Sequence, residues 1–248
     1  YLDSTLILWR SSSQWIGGLF FLFFLIIIFS NKTFNYKMTN LTFPGDNYSN
    51  SETNIKDNLL RIFLLYSLLS ILILSLLNLS GVRLFNSLNL SMTLISGGGF
   101  LPIENISRII STNFQKVILI FSFFVSMLNF YLLFNIFNRN ILFKDHKEDF
   151  YLILLSIVFC CLIYFNNYES LDIIISVTSS LANSGLTLMK SDNNLSLYFL
   201  LITIIGGSLI SNSSGIKLTR FYILLKITSL EIIKLISPNS IINKTIFG

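Results

Sequence analysis

Charge is scarce in this 248-residue chain: Asp, Glu, Lys and Arg together make up 12% of it, where a soluble domain carries about 25%. There is one histidine, there are three prolines and two cysteines, and no carboxylate lies within a long apolar run. Each scarcity excludes something. His146 stands alone in the polar segment Lys144, Asp145, Lys147, Glu148, Asp149, which reads as solvated surface, so neither a histidine metal cluster nor a proton relay is expected. Without carboxylates inside the apolar runs, a proton pump or carboxylate-driven antiporter lacks its usual relay. The cysteines, Cys160 and Cys161, are adjacent, and neighbours on a helix point about 100° apart, so they read as two buried thiols rather than a disulfide. No catalytic constellation is present, and no cofactor is expected.

What remains is apolar. Hydrophobic residues make up 53% of the chain and the mean hydropathy is +0.72. Uncharged runs cover Ser11–Asn31, Ile62–Val82, Val117–Asn138, Phe150–Tyr168 and Asn193–Ile216. Each is long enough for the roughly 18–20 residues with which a helix crosses the hydrocarbon core. The chain is therefore read as an all-α, polytopic membrane protein whose main partner is lipid. Its net charge of +5 comes from basic residues between the apolar runs, where they act as orientation signals rather than as a nucleic-acid face. The chain opens on Tyr1 and a polar stub, with no basic leader or cleavage site, and it is expected to begin inside a longer polypeptide.

Two further uncharged stretches, Leu84–Ile103 and Ile173–Met189, start apolar, turn to Ser, Thr, Asn and Gly, and then become apolar again. A spanning helix would not place Gly97, Gly98 and Gly99 near its middle, because glycine costs about 1 kcal/mol per helical residue and lipid cannot satisfy freed backbone groups. Both stretches are expected to be re-entrant half-helices followed by an extended return. The order is then helix Leu59–Leu79, loop Leu84–Gly99, helix Val117–Phe137, and again helix Phe150–Tyr164, loop Leu171–Gly185, helix from Leu195. Gly99 and Gly185 are 86 residues apart, the period of an internal repeat. Trp15–Phe29 precedes both as a lone helix. If the loops enter from outside, the inside segments Ser30–Arg61, Asn138–Asp149 and Lys217–Gly248 hold four, three and five basic residues against five outside, as the positive-inside rule requires. Asp172, at the start of the second loop, is expected to cap its half-helix or to draw cations to the mouth.

Gly-rich extended backbone at membrane depth suits a cation filter, because a dehydrated potassium ion needs replacement oxygens and successive carbonyls supply them. The candidate filter residues are Gly97, Gly98, Gly99, Asn183, Ser184 and Gly185, with potassium at Gly98, Gly99, Ser184 and Gly185. A second irregular segment comprises Gly206, Gly207, Ser208 and onward through Ser211, Asn212, Ser213, Ser214, Gly215 and Lys217. It interrupts an apolar run that resumes at Phe221. Ser208–Gly215 is expected to form an intramembrane loop directly below Gly185, with Ser211–Ser214 facing water or ions and Lys217 and Arg220 nearer the cytoplasm.

These segments resemble one family in order. Trp9–Gly18 is similar to the "WRSxxQWIGG" opening of the first inner helix in the membrane subunit of bacterial Trk-type potassium transporters. Ser91–Phe100 and Ser179–Leu186 resemble that family's second and third pore loops, and Asn129-Phe130 the "NF" of the inner helix between them. Gly206–Lys217 with Arg220 resembles its "GGCxGSTGGGxKxxR" gating segment, and Ser237-Pro238-Asn239 its "HPN". Three family glycines of the gating segment are replaced here by Ile210, Ser213 and Ser214, and its Cys by Ser208, which puts gating in doubt more than fold. The resemblance implies potassium uptake by a pore of four repeats, each an outer helix, a pore loop and an inner helix. It divides this chain into 1–35 (inner helix of the first repeat), 55–140 (second repeat, pore loop 84–100), 148–236 (third repeat, pore loop 171–186 and broken inner helix 195–236) and 237–248 (start of the fourth). It further implies a multi-pass protein of the bacterial plasma membrane, a homodimer, and a cytoplasmic nucleotide-binding partner that moves the gating loop. Two alternatives stand beside it: a degenerate, non-conducting scaffold subunit, and a hydrophobic organelle-encoded respiratory subunit, which would need buried Lys or Glu in its helices.

Overall fold

The computed structural model describes residues 3–30, 53–103, 105–130, 132–133, 147–165, 168–189 and 193–236. Eight α-helices lie among them: α1 Ser4–Ser30, α2 Thr53–Leu79, α3 Leu84–Ile95, α4 Asn113–Met127, α5 Lys147–Tyr164, α6 Ser170–Leu181, α7 Asn193–Ile205 and α8 Leu218–Ile236. A 3-10 turn at Ile106–Arg108 joins α3 to α4. The segment with His146 and the one with Ser237, Pro238 and Asn239 lie outside the described residues.

Helix lengths separate two kinds of element. α1 and α2, 27 residues each, contain the two stretches long and apolar enough to cross a membrane, Ser4–Ile27 and Leu59–Leu79. α3 and α6 have 12 residues, about 18 Å of helix, which cannot cross a core of about 30 Å. Each half-helix is instead enclosed by other helices. α3 packs on α1, α2 and α4; α6 packs on α4, α5 and α7. The two environments repeat: an inner helix from the preceding unit on one side, the unit's own outer and inner helices on the others. Outer helix, half-helix and inner helix therefore recur as expected, with α1 standing in front.

The composition of the half-helices explains why they tolerate such enclosure. Their buried polar side chains turn back onto their own helix. In α3, Ser87 donates to Leu84 O at 2.9 Å, Asn89 to Phe85 O at 2.7 Å and Ser91 to Leu88 O at 2.9 Å. In α6, Ser176, Thr178 and Ser180 donate to the carbonyls of Asp172, Ile174 and Ser176 at 2.7–2.8 Å. Small residues whose hydroxyls are satisfied locally let neighbouring backbones approach without stranding a polar group. Between these faces lies a continuous apolar core that includes Leu22, Ile26, Tyr66, Ile73, Leu90, Leu94, Phe123, Phe130, Ile175 and Val177.

α4 begins with a reciprocal cap. The Thr112 side chain accepts from Gln115 N, and Gln115 Oε1 accepts from Thr112 N at 3.2 Å and Ser111 N at 2.8 Å. Gln115 Nε2 also donates to Ser80 O at 3.1 Å, pinning the end of α2 to the start of α4. Asp172 neither caps α6, whose N-cap is Glu169 without a side-chain bond, nor stands free at the mouth. It pairs with Lys116 at 2.7 Å, and Lys116 also reaches Glu169 at 3.0 Å. The cysteines form no disulfide; Cys160 is half-buried and Cys161 exposed, so only the first fits the reading of buried thiols.

Gln115→Ala removes the side-chain half of the cap and the tie to Ser80, and leaves the Thr112 bond to the backbone N–H of 115. The expected loss is about 1–3 kcal/mol, read as a lower melting temperature of detergent-solubilised protein.

Candidate functional site

Both half-helices end the same way. Gly97 (φ +68°) and Asn183 (φ +57°) each take the left-handed conformation one residue beyond the helical cap. In α3, Gly97 N donates to Leu94 O at 3.2 Å and Gly98 N to Thr93 O at 2.8 Å; in α6, Asn183 N donates to Ser180 O at 3.1 Å and Ser184 N to Ser179 O at 3.0 Å. These are Schellman turns, the standard way to satisfy orphan carbonyls while sending the chain back the way it came. The paired positions are 86 residues apart, so the repeat holds residue by residue through the turn.

The two returns lie against each other. A Cβ on Gly99 would stand 2.1 Å from Ser184 O, and one on Gly97 would stand 2.9 Å from Asn212 O and 3.3 Å from Ala182 O. The glycines of this site therefore serve different needs. Gly185 (φ +68°) has open space around it and is required by its backbone angle, whereas Gly99 is not left-handed and is required by the close approach of Ser184. At Gly99 the constraint is steric, not conformational. At Gly98 a Cβ would meet the tip of the Gln14 side chain, which places α1 directly behind the first return. Gly18, one turn deeper on α1, leaves room for Tyr66 Oη and Ser96.

The interrupted inner helix forms the third part of the site. After α7 stops at Ile205, residues 206–217 make a compact loop whose ends meet. Ile216 N donates to Ile204 O at 2.9 Å, Lys217 N to Ile205 O at 3.0 Å and Leu218 N to Gly207 O at 3.3 Å. At this neck Gly206 (φ +70°) and Gly215 (φ +91°) face each other so closely that a Cβ on either would lie 2.9–3.1 Å from the other's Cα. The neck shows an Ω-loop, not a connector.

Lys217 departs most from expectation. It lies folded back into the loop, 5% exposed, at a φ of +75° that is uncommon for a lysine. Its ammonium donates to Ser211 O at 3.2 Å, Ser211 Oγ at 3.0 Å, Ser213 Oγ at 3.2 Å and the Ser213 carbonyl. Ser211 and Ser213, both fully buried, therefore face this cation and each other (Oγ–Oγ 2.8 Å), not water. Ser213 Oγ also accepts from Gly207 N at 3.0 Å. Ser214 alone of the four is exposed, and Asn212 is half-buried. Toward the half-helices, the loop's hydrogen bond is to the first and not to the second: Asn212 Nδ2 donates to Ile95 O at 2.8 Å.

Several participants escaped the sequence reading. Tyr66, fully buried, donates to Trp15 O at 3.1 Å and stacks at 5.2 Å on Trp15 and 5.9 Å on Phe130. Asp149, expected on a solvated surface, is 2% exposed and accepts from Asn129 N at 2.9 Å. Arg10 lies 4.1 Å over the Phe100 ring, beyond the first return. Among the described residues there is no group of three or more His, Cys, Asp or Glu that could hold a metal.

Architecture and site define an all-helical membrane protein built from repeated units of outer helix, re-entrant half-helix and inner helix, the last of them broken by a buried loop. It is the fold of TrkH: the crystal structure of the potassium transporter TrkH from Vibrio parahaemolyticus superposes with a TM-score of 0.76 at 19% identity, over 100% of this chain and 54% of that one. In sequence, the chain is 28% identical over 246 residues to an uncharacterized cation transporter, MJ1485, of Methanocaldococcus jannaschii, covering 96% of this chain and 50% of that protein. The chain thus spans about half the length of each of these two proteins. No protein-family model matches it.

The geometry ranks the glycines. Gly99→Ala is expected to destabilise most, because a carbonyl must move. Gly97→Ala should follow, since its Cβ meets Asn212 O as well as a left-handed backbone; Gly185→Ala should cost about 1–2 kcal/mol for the backbone alone, and Asn183→Gly should be neutral or stabilising. Melting temperatures of the four purified variants check the order.

Proposed function

We propose that this chain supplies two of the pore loops and the gate of a potassium-uptake pathway. The observation that carries the reading is the pair of Schellman turns in one register, whose returns run side by side at Gly99 and Ser184. Gly97, Gly98 and Gly99 with Asn183, Ser184 and Gly185 would form half of a carbonyl-lined filter, with potassium held at Gly98, Gly99, Ser184 and Gly185. Carbonyls replace the ion's water without adding fixed charge, which suits a cation that must also leave. The two relatives, a potassium transporter and an uncharacterized cation transporter, support cation transport.

The loop 206–217 would be the gate. It abuts the end of the first half-helix through Asn212 and carries the buried charge of Lys217, which repels a cation and must move or be neutralised for conduction. Residence in a bacterial plasma membrane, a homodimeric assembly and a nucleotide-binding cytoplasmic partner belong to this proposal through the family resemblance alone. One observation favours a non-conducting scaffold instead: the Ser211–Ser213–Lys217 network ties the loop shut from within.

Uptake of potassium and of sodium by the full-length protein in a transport-deficient host separates the readings. Gly99→Ser and Gly185→Ser are each expected to weaken discrimination, the first because its Cβ displaces the Ser184 carbonyl, the second because about 1–3 kcal/mol of left-handed backbone strain misaims its own. Deleting Ser211–Ser214 should raise basal potassium flux. A full-length protein that carries no ion in any of these forms supports the scaffold.

A further inference from the structure

The loop is seated on a neighbouring inner helix through main-chain atoms. α4 leaves its helical path at Leu128, where ψ is 161°. Across this break Ser208 N donates to Met127 O at 2.9 Å, and Phe130 N donates to Ile210 O at 2.9 Å. The N–H between them, that of Asn129, is taken by Asp149 Oδ1 at 2.9 Å from the first turn of α5. The preceding carboxylate, Glu148, accepts from Thr219 N at 3.4 Å, at the start of the helix that leaves the loop.

From this arrangement we infer that the α4 break is the seat of the gating loop and that Asp149 is the positioning residue that keeps the seat in shape. A regular helix at Leu128–Phe130 would direct the Phe130 N–H along its own axis and withdraw it from Ile210. A buried carboxylate that accepts the Asn129 N–H makes a charge-assisted bond, stronger than the neutral bond a helix would offer in exchange. Asp149 thereby fixes the one backbone conformation that presents Met127 O and Phe130 N to the loop together. The inference rests on the loop being the gate, and adds where the gate docks and what holds the dock.

The test uses the full-length protein with its native cysteines replaced and Ser208→Cys introduced. Position 208 is fully buried in the seat, so a membrane-permeant thiol reagent labels it only when the loop lifts. Asp149→Ala is expected to raise the labelling rate about tenfold and basal potassium flux with it, the size of effect that losing one charge-assisted bond gives. Asp149→Asn, which keeps an acceptor oxygen but loses the charge, should fall between the parent and Asp149→Ala in both. Should Asp149→Ala not accumulate, Asp149→Ser, one atom too short to reach Asn129, carries the same comparison. Labelling unchanged in Asp149→Ala overturns the inference and leaves the gate intact. Equal labelling of the Ala and Asn variants overturns it as well. Raised labelling with unchanged flux upholds the seat and removes the loop as gate.

Discussion

A main-chain N–H or C=O at membrane depth has no water to turn to, and the site depends on how that demand is met at each interruption. Four helices stop short or break: α3, α4, α6 and α7. The half-helices close their own ends with Schellman turns. The other two close each other, since the carbonyl left by α4 at Met127 and the N–H of Phe130 find Ser208 and Ile210 in the loop that follows α7. The unit repeat makes two such neighbours available side by side. Small hydroxyl residues then let the elements approach closely enough for the exchange.

Long polar side chains follow the same rule. Lys217, Asp149 and Gln115 are all nearly buried, and each binds main-chain atoms at a place where regular structure ends. Asp149 and Lys217 act at opposite ends of one assembly, the first on the seat and the second inside the loop. Lys116, by contrast, pairs with side-chain carboxylates on the rim, where Glu169 remains largely exposed.

The sequence made the scaffold legible because its signals are one-dimensional: uncharged runs, polar-ended half-helices and an 86-residue period each read out along the chain. It also located the irregular loop, since three glycines and five hydroxyl or amide residues within twelve positions do not continue a helix in lipid. It did not reveal which partner each residue would find. Asp149 sits among charged neighbours and resembles any loop acid until the chain folds it onto Asn129, 20 residues away. Lys217 follows a loop and looks like a membrane-surface anchor; only its left-handed φ turns it inward, and a lysine gives no hint of that angle. Gly99 and Gly185 share a letter and a register but owe it to different constraints, one of space and one of rotation.

Because the loop docks through Met127 O, Phe130 N, Ser208 N and Ile210 O, the side chains at 208 and 210 have no part in the bonds themselves. Recognition that reads only the polypeptide backbone is blind to mutation, so long as the path of the chain is kept. Ser208 and Ile210, both fully buried, are therefore held to size by packing and not to chemistry by these bonds. The neck glycines, whose Cα atoms leave no room for anything larger, and Ser211, Ser213 and Lys217, whose side chains bond one another, are the residues held to their identity.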